Sequence, residues 1–362
     1  MEKEYISARQ CMFLLIGSII GIAIMLVPSS IITIAKQDAW LIPWMSVVPG
    51  LVLIGLLVSL NKMYPGQSLA QYSISILGWP GKFLVLAMIW YFLFLGALVL
   101  REIVEFINSI VLFETPPAVI YFFTTLLCAY GLKMGLEVIA RTFSILILMV
   151  VILLFIIQGY SMINADFGNM QPILSTGLLP LIGASIFFIA APVGEVMALF
   201  GMVIYQVKKP HKLGTKLSIG FIFSVFILCL VVVRAIVILG PDRSSRSLYT
   251  IATSINAIAG GNLLLPLMTL NWFVFSLCEL ILCYYAFVTG VSQLAKLSDY
   301  KSLILPTGAL FIVLGIYSFD NIIEEYAFSL SIWPVYSLPF SFGIPLLLWV
   351  AAMIKRKLKY QK

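Results

Sequence analysis

Residues 10–35 read QCMFLLIGSIIGIAIMLVPSSIITIA, with no charged side chain from Gln10 to Ala35. A bilayer core about 30 Å thick takes about 20 apolar residues of helix to cross. The stretch is therefore long enough to span a membrane. No small-residue cleavage site follows it, so it is expected to be a retained first span rather than a removed signal peptide. Within it lies Gly17-Ser18-Ile19-Ile20-Gly21, roughly 9–15 Å into the membrane at 1.5 Å per residue. Glycine lowers the cost of leaving helical geometry, and the first span is expected to break there.

Working outward from this first segment, 11–35, further apolar segments lie near 39–61, 83–108, 115–133, 142–163, 178–206, 217–240, 262–290, 302–322 and 334–354. Hydrophobic residues make up 62% of the 362 positions and charged residues 10%, with a mean hydropathy of +1.10. A soluble domain needs roughly a quarter of its residues charged to keep its surface wet. Here the fitting solvent is the lipid bilayer, and the expectation is an all-α membrane protein of ten transmembrane helices forming a single domain, 1–362.

A net charge of +7 could suggest nucleic acid, but the distribution of the charges speaks against it. With the N-terminus, Lys3 and Arg9 in the cytoplasm, alternate loops hold Lys62 and Lys82, Lys133 and Arg141, and Lys208, Lys209, Lys212 and Lys216. Lys296 and Lys301 follow on that side, with a tail of Lys355, Arg356, Lys357, Lys359 and Lys362. The opposite loops keep Lys36, Arg243 and Arg246, and add the acids Asp166, Asp320, Glu324 and Glu325. That is the positive-inside pattern of a multi-pass protein with both termini cytoplasmic.

The longest polar interval, 61–81, has turn signals at Pro65-Gly66 and at Gly78 to Gly81, with a short amphipathic helix expected between them on the cytoplasmic face. The interval 164–177 is the longest external loop and divides the chain into two sets of five spans, about 1–165 and 166–362. An odd number of spans per half puts the halves in opposite orientations. Five plus five inverted is the LeuT-type architecture. Segment six contains Ala190-Ala191-Pro192-Val193-Gly194-Glu195, where proline removes a backbone donor and crowds the preceding turn. Breaks in the first span of each half point to a ligand site, because half-helix ends expose amides and carbonyls. Gly17-x-x-x-Gly21 is also a close-packing motif between membrane helices, and a proline kink can be purely structural. Both readings of each break stay open.

Glu195 falls mid-membrane, where a carboxylate is costly unless paired, hydrated or protonated. It either faces a hydrated pocket or ties down the broken helix by hydrogen bonds. Glu279, in LCELILCYY, is either a pocket residue or a protonated packing residue. Arg101, Glu102 and Glu105 sit near the outer end of segment three, where Arg101 and Glu105 form an i, i+4 pair that neutralises itself. Arg234, near the outer end of segment seven, is expected to snorkel toward the headgroups. The five cysteines, Cys11, Cys128, Cys229, Cys278 and Cys283, lie in apolar segments without a CxxC or Cys/His grouping, so buried thiols are expected rather than disulfides or a metal site. His211, alone among lysines, suggests no role. No GxxxxGK[ST] loop, HExxH or Ser-His-Asp set occurs. The expectation is no enzyme, no cofactor and no ATP-driven transport within this chain.

Several stretches in serial order carry a resemblance over nearly the whole length. They are Ile6-Ser7-Ala8-Arg9-Gln10, Asp38-Ala39-Trp40, Tyr64-Pro65-Gly66-Gln67-Ser68-Leu69, Ile76-Leu77-Gly78, Leu100-Arg101-Glu102 with Glu105-Phe106, and Thr115-Pro116. Gly135-Leu136-Glu137-Val138-Ile139-Ala140-Arg141 and Pro192-Val193-Gly194-Glu195-Val196 complete the series. In these the chain resembles the spore germination protein family of the amino acid–polyamine–organocation superfamily, the permease-like B subunits of endospore germinant receptors. The resemblance implies a LeuT-type fold with broken helices one and six and a pocket among segments one, three, six and eight. It implies a small nutrient ligand, typically an amino acid, and two partners in the inner membrane of the endospore, an A-type membrane subunit and a C-type lipoprotein. Carried over residue by residue, the pocket maps to Gly17, Ser18, Gly21, Tyr91 and Pro192 through Glu195, including Gly194. Glu279 joins them as a departure, since a neutral side chain is expected there. Ala23 stands where many superfamily members have a second glycine, which implies a shorter unwinding. Segment five lacks the lysine that serves proton coupling in some permeases. An ion-coupled amino acid permease is the competing function, and a passive pore or assembly subunit with a vestigial pocket the third.

Overall fold

The computed structural model describes residues 5–21, 23–208 and 210–360; Lys3, Lys209 and Lys362, used above for the charge pattern, lie outside them. The chain is almost wholly helical among these residues, with one isolated parallel bridge between Ile6 and Val207. The first half comprises α1 (Ala8–Ile20), α2 (Ala23–Ala35), α3 (Leu41–Met45), α4 (Val47–Met63), α5 (Leu69–Leu77), α6 (Trp79–Ile110), α7 (Pro117–Met134) and α8 (Leu136–Ser161). Then come α9 (Leu178–Phe188), α10 (Glu195–Phe200), α11 (Leu213–Leu239), α12 (Pro241–Ser245), α13 (Thr250–Asn256) and α14 (Gly261–Leu294). The chain ends in α15 (Ile304–Tyr317), α16 (Ile322–Ser331), α17 (Trp333–Leu338) and α18 (Ile344–Tyr360).

Among the described residues, eight helical stretches are long and apolar enough to cross a membrane, and two bent pairs bring the number to as many as ten. One pair is Ala8–Ile20 with Ala23–Asp38, bent by 48°; the other is Lys301–Tyr317 with Ile322–Ser331, bent by 98°. Their order agrees with the apolar segments of the sequence. α14 is buried almost all round, as a helix without a polar face must be at the centre of a bundle.

The recurring motifs turn out to be helix punctuation. Ser7 and Gln10 form a capping box on α1, with Gln10 N donating to Ser7 Oγ at 3.1 Å and Ser7 N to Gln10 Oε1 at 2.7 Å. Ser68 and Gln71 repeat it on α5, the short helix expected in the first polar interval. Each box satisfies donors that a helix start leaves orphaned. Gly135, at φ +92°, makes the corner between α7 and α8 in backbone space that side chains avoid. Buried Asp38 accepts from Leu174 N at 2.7 Å and Thr176 N at 3.0 Å, fastening the 164–177 loop to the end of α2.

The two expected breaks take different forms. Gly17 and Ser18 stay inside regular helix, because Gly21 N still donates to Gly17 O at 2.9 Å. The helix is left only at Gly21, whose ψ is −110°, and α2 already resumes at Ala23. Span six is not unwound. It passes from α9 to α10 through a π turn, Ile189–Gly194, that absorbs Pro192 with one residue in excess of α-helical winding. Arg234 lies near the end of α11, where the sequence placed it, but it is buried at 2% exposure and does not snorkel.

Candidate functional site

The breaks of spans one and six face a cavity of about 60 Å³ in the bundle interior. Ser18 and Ala23 border it from helix one, Pro192 and Glu195 from span six, Glu102 from α6 and Glu279 from α14. Tyr326 of α16 and Trp333 of α17 close the remaining side. Ser18 is held in place by donating to Leu14 O at 2.8 Å.

The other sequence candidates lie behind this lining. A Cβ on Gly17 would come within 2.5 Å of Ile147 Cδ1 and 2.8 Å of Cys278 Sγ, so Gly17 allows α1 to pack closely on α8 and α14. A Cβ on Gly194 would come within 2.7 Å of Ser341 Oγ, so that glycine seats the π turn against a second one, Pro339–Gly343. Tyr91 is fully buried, stacked on Phe340 at 4.7 Å and hydrogen-bonded to Ser337 Oγ at 2.9 Å. Ser337 Oγ in turn donates to Ala190 O at 3.0 Å, inside the π turn. The close-packing reading thus accounts for both glycines, and Tyr91 supports span six from outside the cavity.

Gly21 is different. A Cβ there would collide with Oε2 of Glu279, so the carboxyl group of Glu279 rests against the break itself. Glu195 is buried and accepts a hydrogen bond from Trp333 Nε1. Freed backbone amides were the expected donors; the donor is an indole brought in by α17.

Sequence reasoning missed Glu102 and Trp333. Leu95, Leu98, Val99 and Glu102 all line the cavity, and their i, i+3, i+4, i+7 spacing is one helical face, a signal present in the sequence. Glu102 Oε2 is buried with no hydrogen-bond partner. Arg101, one residue earlier, faces elsewhere. It reaches Glu105 at 2.7 Å and Glu325 of α16 at 2.8 Å, and donates to Gly315 O at 3.1 Å and Phe319 O at 2.9 Å. Glu325, placed in an outer loop by the sequence reading, is a buried member of this cluster.

Among the described lining residues, Glu102, Glu195 and Glu279 contribute carboxyl groups and none is Lys, Arg or His. Away from water such groups interact far more strongly with charge than at a surface. The arrangement can accept hydrogen bonds and attract positive charge. The cysteines cannot add to it, being buried and unpaired in the surrounding packing.

The fold is that of secondary transporters. MhsT, solved in complex with L-phenylalanine, superposes with a TM-score of 0.65 at 14% identity, covering 97% of this chain and 100% of that one. A Na+-coupled sialic acid symporter in a substrate-bound outward-open state gives 0.69 at 12% identity, covering 95% and 78%. These are the LeuT-type structures the break pattern implied. Spore germination protein KB of Bacillus subtilis (strain 168) is 28% identical over 99% of this chain and 97% of its own length. Spore germination protein XB of Bacillus anthracis is 27% identical over 44% of each. The sequence also matches the family described as Spore germination protein over residues 5–322, and with the fold and its membrane spans this makes the chain a multi-pass membrane protein of the spore germination protein family.

Proposed function

We propose that this chain is the B-type subunit of a germinant receptor, and that its central cavity binds a small nutrient, an amino acid or a close relative. The observation that carries the reading is the convergence of the helix-one break, the span-six π turn and two intramembrane carboxyl groups, Glu195 and Glu279, on one cavity. Helix interruptions of this kind are where transporters of this architecture hold ligands. In this reading the protein sits in the inner membrane of the endospore with both termini cytoplasmic, and passes the binding event to an A-type membrane subunit and a C-type lipoprotein. The two halves, about 1–165 and 166–362, are inverted repeats that move against each other. The Na+-coupled structural neighbour favours a second reading, an ion-coupled permease.

The test compares spores carrying the wild-type chain with spores carrying Gly21→Val at matched membrane abundance. Loss of nutrient response with normal insertion and assembly supports the pocket. A normal response removes the helix-one break from it. Uptake of labelled amino acid by proteoliposomes containing this chain alone would favour the permease.

A further inference from the structure

The site just described has an unusual charge balance. A ligand carboxylate would be expected to dock on the helix-one break, where a half-helix start offers positive partial charge. That position is already taken by a carboxyl group of the protein. Gly21 has no side chain, and Oε2 of Glu279 occupies the space where a Cβ would be.

Beside the main cavity lies a smaller one of about 20 Å³, lined by Glu102, Glu105, Glu325 and Trp272 among others. The two share Leu26, Glu102, Tyr326 and Ser329. Among the described residues they are bordered by five carboxyl groups, those of Glu102, Glu105, Glu195, Glu279 and Glu325, and by no basic side chain. The nearby guanidinium of Arg101 is spent on Glu105, Glu325 and the carbonyls of Gly315 and Phe319. Yet Oε1 of Glu325, a residue 4% exposed, and Oε2 of Glu102 are buried with no hydrogen-bond donor. Buried acceptors without donors cost about 1–3 kcal/mol each, and something that brings N–H groups and positive charge would remove that cost. A single metal ion is a poor match, because among the described residues no three His, Cys, Asp or Glu groups are close enough to hold one.

We infer that the site selects an organic ammonium carrying net positive charge, such as an amine, diamine or basic amino acid, rather than a neutral zwitterion. The inference rests on the nutrient-pocket reading above and adds the ligand's charge class. Glu279 stands in for the carboxylate a zwitterion would bring, and Glu102, with Glu195, receives the ammonium. Tyr326 borders both cavities and also a larger recess beside Arg246 and Ile322, so a ligand would pass it on the way in.

The experiment uses the full chain in lipid nanodiscs and follows its thermal melting with L-alanine, L-alaninamide, putrescine and, at equal ionic strength, NaCl or KCl. Alaninamide differs from alanine in the one charge at issue. The expected result is half-maximal stabilisation by alaninamide or putrescine at about tenfold lower concentration than by alanine, equivalent to about 1.4 kcal/mol. Glu102→Gln should weaken the amines by a similar factor, while Glu102→Asp, which keeps the charge, should bind within about threefold of wild type, or about 0.65 kcal/mol. Alanine binding as tightly as its amide would overturn the inference and leave the nutrient pocket standing. Stabilisation by Na+ or K+ that the amines cannot displace would also overturn it, in favour of an inorganic cation. No shift with any probe would bring down the pocket reading with it.

Discussion

Arg101 and Glu102 are neighbours in the chain, but the two regions they serve differ in kind. Arg101 turns toward Glu105, Glu325 and three carbonyls at and just past the end of α15, and nearly every charge there has a partner. Glu102 turns the other way, toward the cavity it shares with Glu195 and Glu279, where carboxyl groups gather without a basic side chain among the described lining. The first region is a clasp that holds the 98° corner between α15 and α16 against α6. The second is left electrically incomplete. Packing alone would favour completing both, and the ligand proposed above is what would complete the second.

The strongest way to break the contrast is to remove the clasp. Arg101→Met leaves Glu105 and Glu325 without their cation, and loss of one partner from a buried pair costs about 3–5 kcal/mol. We expect a steep fall in the amount of folded protein and in melting temperature. A stable Arg101→Met protein would mean the clasp is ornamental. Lysine should rescue only in part, since it cannot reproduce the planar fork that reaches two carboxylates and three carbonyls.

Next is the bond between Trp333 and Glu195. Trp333→Phe keeps the ring stacking but leaves Glu195 without its donor, and is expected to cost about 1.5–3 kcal/mol, the range for hydrogen bonds to charged groups. Glu195→Gln should behave differently, because its amide oxygen can still accept from the indole. Melting temperature close to wild type with impaired germination would show that the charge matters beyond the bond. Wild-type germination at matched abundance would move Glu195 into the scaffold.

Gly21→Ala tests the other end of the cavity. The added methyl displaces the Glu279 carboxyl group, with an expected loss of about 1–3 kcal/mol from overpacking. Glu279→Ala should recover most of it in the double variant, a coupling that melting curves of the four proteins would reveal. Additive losses would show that the two residues do not meet.

The smallest effect is expected at Tyr326, whose hydroxyl lies 3.3 Å from both Ser29 Oγ and Ser30 Oγ of α2. Tyr326→Phe should cost about 0.5–1.5 kcal/mol, the net worth of an ordinary hydrogen bond. If Tyr326 also guards the way in, the phenylalanine variant should respond to nutrient faster than wild type.

The spans were legible because a run of apolar residues long enough to cross a bilayer, repeated along the chain, leaves too little polar surface to face water. The positions of the breaks were legible too, since glycine and proline act locally. Their form was not. Proline dictates a missing donor, but whether the helix unwinds or takes up a π turn depends on what packs against it, here Ser337 and Ser341 from the far end of the chain. Glu325 was misread because hydropathy cannot show that α16 folds back at about a right angle and returns this acid of a polar stretch toward the core. Glu102 was misread by face: α6 ends at Ile110, close to the expected end, but the Leu95–Glu102 side of the helix borders the cavity. Trp333 was not legible, because only the packing of α17 against span six brings its indole to Glu195.

The π turn at Ile189–Gly194 has a bearing on how this chain tolerates change. Each residue in an α-helix advances the azimuth by about 100°, but the wider π turn takes in a supernumerary residue with almost no further rotation. Glu195, Val196 and the rest of α10 owe their bearing around the helix axis to that widened turn. Deleting Pro192 would let the hydrogen-bond ladder heal into plain α-helix. Glu195 would keep its bearing toward Trp333, because the widened turn and the shortened α-helical one end at nearly the same azimuth. Substitutions in this segment are matters of shape and charge, whereas a one-codon deletion at the proline takes up a residue of slack.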